Sequence, residues 1–353
     1  MTEFTESSSS HPGLWKRAVL WTALFLCLTI LPAAAWLMLY GYSRGPVVEN
    51  DSVVITIPKG TSVRGISEIL GEAAIIRDDL RFVLLAKWQG VAAKLRAGEF
   101  QIPTGKTPLE VLELLVNARQ VQHAITIPEG LRAEEIASIF AKEGWCDPYI
   151  FNELVLDGEF IAGLGLSGIR SLEGYLYPDT YYLTRDVHGA ETVITLLVDR
   201  FHAVWGELTT DLKEPPDRQK TVILASIVEK ETGDAAERPL IASVFHNRLK
   251  QGMRLQSDPT VVYGLSKYSG TISKADLKSE TPYNTYVIPA LPAGPIANPG
   301  KAALQAVLNP SDDTYLYFVS KNDGTHQFST NLKDHNLAVQ KFQRKNDNRN
   351  GKE

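Results

Sequence analysis

Cysteine is nearly missing from this sequence, with two residues among 353. Cys27 lies inside an apolar run and Cys146 stands alone, which argues against a disulfide framework or a cysteine metal site. Histidine is sparse as well: seven are scattered without one His-x-x-x-His pair, so a metal centre has little support and no cofactor is expected. Positive charge is not in excess either. A formal net charge of −5 lacks the basic face of a nucleic-acid binder. What remains is a chain 44% hydrophobic and long enough for two domains with cores.

After a Ser-rich tail, Lys16 and Arg17 precede "AVLWTALFLCLTILPAAAWLMLY", residues 18–40, which carries no charge. As a helix it spans roughly 34 Å, enough for a hydrocarbon layer of about 30 Å. The two cations before the run favour a cytoplasmic N-terminus. A cleaved signal peptide is the competing reading, since Ala33, Ala34 and Ala35 form a small-residue site. The apolar run continues past that site to Tyr40, with Trp36 and Tyr40 suited to an interface, so an anchor is expected. Under either reading, residues from about 45 onward face away from the cytoplasm.

One phrase then recurs: "ITIPKGTSVRGISEIL" (55–70), "FQIPTGKTPLEVLELL" (100–115) and "ITIPEGLRAEEIASIF" (125–140). Each reads as a strand, a Pro-x-Gly turn and an amphipathic helix. In the first, Ser62 is placed to cap a helix burying Val63, Ile66, Ile69 and Leu70. Small modules packed side by side are expected. The pattern resembles LysM-like units, small β/α modules that bind N-acetylated glycan; a spacer without a sugar site fits it equally well.

From about residue 120, helical patterns dominate, among them 220–230 and the stretch after Pro239. Residues 256–300 read as a long structured loop region, and "YLYFVS" and "THQFST" around "KNDG" read as a β-hairpin. The fold class is α+β. Its expected divisions are a cytoplasmic tail (1–17), a transmembrane helix (18–40), a linker (41–51), a small LysM-like module (52–119), a mixed α+β catalytic domain (120–340) and a polar tail (341–353).

The stretch "LASIVEKETG" holds two glutamates, Glu229 and Glu231. On a helical wheel, Leu224, Ile227 and Val228 lie within about 60° of Glu231, whereas Glu229 lies about 160° away. Glu231 therefore projects from the apolar stripe at the end of its helix, and Glu229 from the other face. Burial against aliphatic side chains raises a carboxyl pKa, and a protonated glutamic acid can donate to a glycosidic oxygen. A salt bridge at the rim of the core is the plainer explanation on the wheel alone.

The context of that helix is specific. "LASIVEKET" and "ERPLIASVFHNRLKQGMRLQSDPTVVYG" (237–264), with "LEGYLYPDTY" (172–181), "TPYNTY" (281–286), "GPIANPG" (294–300), "YLYFVS", Gly324, His326, Phe328, His335 and Asn336, resemble the YceG-like endolytic murein transglycosylases. "ALPAGPI" (290–296) departs from the family's more frequent Gly-Leu-Pro-Pro. The resemblance implies a single-pass inner-membrane enzyme with its catalytic domain in the periplasm. It implies endolytic cleavage of MurNAc-β-1,4-GlcNAc bonds in nascent peptidoglycan strands, leaving 1,6-anhydro-MurNAc ends and terminating glycan elongation. Glycan strands, the membrane and peptidoglycan synthases are the implied partners, and Glu231 matches the catalytic glutamate. In such enzymes one glutamic acid serves as acid and then base, because the muramyl 6-hydroxyl is the nucleophile.

Gln256, Ser257, Tyr263, Asn284 and Tyr286 supply the amides, hydroxyls and aromatic faces that hold N-acetyl sugars. Asp258 is the best second acid, although an aspartate before Pro259 also reads as a turn cap in an extended conformation. Glu173 and Tyr175, with Asp179, are candidates for walling the cleft. His326 and His335 are candidates for touching substrate, with local hydrogen bonding the plainer reading. Two rivals remain: a non-catalytic glycan-binding scaffold, and a lysozyme-type hydrolase using Glu231 with Asp258 or Asp179.

Overall fold

The uncharged N-terminal run forms one helix, α1 (Pro12–Gly41), longer at both ends than its apolar core and with Pro32 inside it. The computed structural model describes residues 12–47, 51–117, 120–185 and 187–343. The extreme N-terminus, residues 48–50 of the expected linker and most of the expected polar tail thus lie outside the described residues. Among those described, α1 is the one helix long and apolar enough to cross a membrane, and no residue of its most apolar 18-residue window is buried. The chain divides into two compact units, Met1–Gln122 with Thr184–Asp186, and His123–Leu183 with Val187–Glu353. The architecture is α+β, with three separate two-stranded antiparallel sheets among the described residues.

In the first unit, β1 (Ser52–Ile57) leads into α2 (Val63–Glu72), α3 (Leu80–Trp88), β2 (Gly98–Pro103) and α4 (Pro108–Asn117). Alternation along both strands turns Ile55, Ile57, Phe100 and Ile102 inward, where they meet Ile66, Leu70, Phe82, Leu85, Val111 and Leu115. Ser62 does cap α2, its Oγ accepting the Gly65 amide at 3.1 Å. Ile66 and Leu70 are buried behind that cap and Val63 and Ile69 half-buried. The end of α1 belongs to this packing. Tyr40 is buried, and the Arg81 guanidinium lies 5.4 Å from the Trp36 ring centre and 4.5 Å from that of Tyr40.

The three recurring phrases do share a backbone: Gly60, Gly105 and Gly130 all turn at positive φ, where glycine avoids a Cβ clash. They do not stack as repeats. The first two strands pair with each other, Ile55 opposite Phe100. The third, β3 (His123–Thr126), belongs to the second unit and pairs with β4 (Thr180–Leu183), a strand that no periodicity marked. The reason is length. Four residues are too few for an alternation to stand out against a tyrosine-rich loop.

The second unit continues through α5 (Ala133–Lys142), α6 (Pro148–Leu154), α7 (Gly158–Gly163), α8 (Ala190–Thr209), α9 (Arg218–Glu231), α10 (Arg238–Lys250), α11 (Asp258–Gly264) and α12 (Lys301–Leu308). The hairpin of β5 (Tyr317–Ser320) and β6 (His326–Ser329) forms around "KNDG", turned by Asn322 and Gly324 at positive φ. Helix α13 (Leu332–Phe342) follows. At the centre lies α9, capped by Asp217, with every residue from Thr221 to Val228 buried. Packed by α10, α11 and α12, α9 has no solvent face from Thr221 to Val228, which corrects the two-faced picture that the wheel gave.

Candidate active site

Helix α9 ends at Glu231, where Thr232 turns the chain into an extended conformation. The carboxyl opens on a cavity of about 430 Å³ whose walls include Arg248, Gln256, Asp258, Tyr286, His326 and His335. Burial pushes the Glu231 carboxyl up from 4.5 to about 7; the Asp258 charge adds to the rise, while the Ser257 hydrogen bond and Arg248 oppose it. Ser257 Oγ donates to Glu231 Oε1 at 2.5 Å, leaving Oε2 for the transferable proton.

Ser257 is held by its own network. Its amide donates to Thr285 Oγ1 at 2.9 Å, its carbonyl accepts Thr260 Oγ1 at 2.6 Å, and the two threonine hydroxyls lie 2.8 Å apart. Just before it, Gln256 adopts a positive φ, a backbone state that side-chain-bearing residues rarely take and that clusters at functional sites. Asp258 opens α11 with Pro259 in the first turn, in place of the extended turn cap that the X-Pro rule favoured. Its Oδ1 accepts the Tyr286 hydroxyl at 2.6 Å. Of the residues chosen from sequence, then, Glu231, Gln256, Ser257, Asp258 and Tyr286 come together.

Four others do not. Asn284 is fully buried, and its amide donates to the carbonyls of Asp276, Leu277 and Ser279 while Oδ1 accepts the Tyr286 amide. It shapes the loop that presents Tyr286 and has no free group for a sugar. Glu173 is 5% exposed and accepts from the Ala133 amide, Asn298 Nδ2 at 2.8 Å and the Tyr263 hydroxyl at 3.2 Å. Burial pushes it too up to about 7. Tyr263 is thereby tied to Glu173, its ring edge-on to Tyr283. Tyr175 lies in the core against Phe201. None of the four lines that cavity, and Asn298 braces the segment around Glu173, its Oδ1 accepting the Gly174 and Leu176 amides at 2.9 Å each. A side chain at Gly174, itself at positive φ, would strike Pro295 and Val222.

Glu229 is also enclosed, its side chain 6% exposed. It forms an ion pair with Arg238 at 3.1 Å and accepts the Gly300 amide at 3.0 Å, tying α9 to the starts of α10 and α12. The wheel separated the directions of the two glutamates correctly; partners, not exposure, distinguish them.

Sequence reasoning passed over Arg248 and Glu237. Arg248 donates to the carbonyls of Leu316 and Leu255 at 2.7 Å each and lies 5.2 Å from the Tyr317 ring centre. Glu237 holds His326, with Oε2 2.6 Å from Nδ1 and Oε1 accepting the His326 amide at 2.8 Å. The Arg248–Leu316 and Glu237–His326 contacts join residues 68 and 89 apart, so no local signal marks either pair. Among the described residues, no cluster of His, Cys, Asp and Glu is arranged to hold a metal ion.

The YceG-like family model matches residues 55–341. An endolytic murein transglycosylase of Bacillus subtilis is 34% identical over 325 residues, covering 86% of this chain and 89% of the relative. One from Streptococcus pneumoniae is 28% identical over 355 residues, covering 89% of this chain but 64% of the relative. A crystal structure of a yceG-like protein from Listeria monocytogenes is 31% identical and superposes with a TM-score of 0.56, covering 81% of this chain and 98% of that one. On the extent of the family match and the identity with the Bacillus protein, the chain belongs to the YceG-like family.

Proposed function

We propose that this chain is an endolytic lytic transglycosylase that cuts MurNAc-β-1,4-GlcNAc bonds within peptidoglycan strands. The observation that carries the reading is Glu231, a carboxyl raised to about 7 by burial, at the wall of the cavity. The Bacillus and Streptococcus relatives, named endolytic murein transglycosylases, support the same reading. An acid poised near neutral pH is protonated often enough to donate and ionises readily enough to have donated.

In the mechanism, Ser257 holds Oε1 and the Oε2 proton passes to the glycosidic oxygen as the C1–O bond breaks. The muramyl 6-hydroxyl then closes on C1, giving a 1,6-anhydro end, and its proton is returned to the enzyme. Arg248 stabilises the carboxylate formed when the proton leaves. Gln256, Asp258 and Tyr286 are the sugar contacts. A second carboxylate acting on water, as hydrolysis requires, has no part in this scheme. Asp258 instead orients Tyr286 and adds negative potential.

Membrane anchoring by α1, with the residues from about 45 onward on the periplasmic side, belongs to the same reading. Residues 52–119 are assigned as a LysM-like module on the β-α-α-β order of β1, α2, α3 and β2. Nascent strands are the substrate, release of finished strands the outcome, and peptidoglycan synthases the partners. The test is the mass of the ends produced from uncrosslinked glycan strands. Anhydro ends are expected. Products heavier by one water per cut would establish a hydrolase, and intact strands a binding scaffold.

A further inference from the structure

Glu237 and His326 form a buried pair beside the cavity, with side chains 10% and 12% exposed. The imidazole is fixed on two sides. Its Nδ1 lies 2.6 Å from one Glu237 oxygen, while the other oxygen accepts the backbone amide of His326 itself. Phe318 meets the ring edge-on at 5.4 Å and 89°, and Phe328 lies 6.4 Å away. A carboxylate at Nδ1 makes that nitrogen the N–H, so in the neutral ring Nε2 carries the lone pair. Among the described residues no protein group bonds Nε2, and His326 lines the same cavity as Glu231.

The other ionisable groups facing this cavity have different surroundings. Glu231 accepts Ser257 and carries the proton to be donated. Asp258 accepts the Tyr286 hydroxyl. Arg248 is a cation bound to backbone carbonyls. His335 is stacked on Tyr317 at 5.1 Å with its Nδ1 buried and unpartnered, and burial with the Arg248 charge lowers its pKa. Of the two histidines on the wall, His326 is the one whose ring a carboxylate orients through Nδ1, so that Nε2 is its basic nitrogen.

We propose that His326 is the base that takes the proton of the nucleophilic sugar hydroxyl, with Glu237 positioning the ring so that Nε2 is the basic atom. This rests on the transglycosylase reading above and deepens it. If Glu231 did both tasks, a single carboxyl would have to reach the leaving oxygen and the attacking one. An imidazole on another part of the wall divides the work. The C1–O bond to the leaving sugar breaks as the Glu231 proton passes to that oxygen. The bond from the 6-hydroxyl oxygen to C1 forms as its proton passes to Nε2. The enzyme is left as carboxylate and imidazolium, and one proton returning across the cavity through solvent restores both. No co-reactant is needed.

The experiment uses the full-length protein in detergent and uncrosslinked glycan strands, with folding of each variant followed by thermal melting. For His326→Ala, kcat falls by at least about a hundredfold while KM stays within about threefold. The acid limb of the kcat–pH profile disappears, and added imidazole restores part of the lost rate. A structural pin between β6 and α10 would give neither of the last two effects. Glu237→Gln keeps the shape but presents an amide N–H or a weaker acceptor to Nδ1. It lowers kcat by roughly tenfold or more through the wrong tautomer, and it serves as the test should His326→Ala not fold. A folded His326→Ala with parental kcat, or one that keeps the acid limb and ignores imidazole, would overturn the assignment. So would a folded Glu237→Gln with parental kcat. The parent's products are weighed alongside. Hydrolytic ends would sink the transglycosylase reading itself, whereas anhydro ends with undiminished variants would sink only the role of His326.

Discussion

Around Glu229 the protein places a guanidinium and a backbone amide; around Glu231 it places a hydroxyl, an anion at Asp258 and a cavity. The two carboxyl groups are two residues apart on the same helix. The first is matched in charge and serves as a bolt joining α9, α10 and α12. The second lacks a directly bonded cation, so burial acts unopposed by an ion pair and holds it near neutrality. The difference shows that depth alone does not make an acid catalyst. The partners decide whether a buried carboxyl is an anchor or a proton donor.

Substitutions at the two positions should therefore fail in opposite ways. Glu231→Gln keeps shape and removes the proton, so murein cleavage falls by about a hundredfold to ten-thousandfold with the fold retained, as read by release of anhydro-muropeptides. Glu229→Gln removes the nearer counter-charge of the buried Arg238 and leaves it only the more exposed Glu129, 3.8 Å away. Its cost is about 3 kcal/mol of stability, seen as a shifted denaturation midpoint, with activity persisting wherever the variant is folded. If Glu229→Gln were inactive though folded, the contrast would collapse.

The pH dependence of stability sharpens it further. Below about 4.5 the Glu231 carboxyl is protonated in both folded and unfolded chains and contributes no difference. Between 4.5 and about 7 the unfolded chain ionises first, so native stability falls as pH rises. Above that the full loss remains, at most about 3 kcal/mol. Glu231→Gln removes the loss: it should melt with the parent at pH 4 and above it at pH 8. Equal melting at both values would mean that Glu231 is not held neutral.

The smallest effect is expected at Tyr286. Tyr286→Phe removes the 2.6 Å bond to Asp258 at a solvent-accessible edge. It should lower kcat/KM about fivefold, equivalent to roughly 1 kcal/mol, without changing the product.

Much of this was legible beforehand because it is local. Three Pro-x-Gly turns, the Ser62 cap, the helix ending at Glu231 and the hairpin at "KNDG" depend on residues within one or two turns of each other. The cavity was legible in part. Gln256, Ser257, Asp258 and Tyr286 converge with Glu231, whereas Asn284, Glu173, Tyr175 and Tyr263 lie outside the cavity lining, bonded or packed within the protein. Residue chemistry cannot separate these groups, since an amide suited to a sugar is equally suited to a buried carbonyl.

The three strand-turn-helix phrases, the charge-free run of residues 18–40 within α1, the direction in which each glutamate leaves α9 and the family were determined by the sequence itself, through periodicity, turn chemistry and long ordered motifs. Only the tertiary structure decided what each glutamate meets. Arg238 beside Glu229 follows from the α9–α10 turn, but Ser257 reaches Glu231 across 26 residues and Glu237 reaches His326 across 89. A pKa is set by desolvation and by charges within a few ångströms. Such distances exist only once the chain has closed on itself.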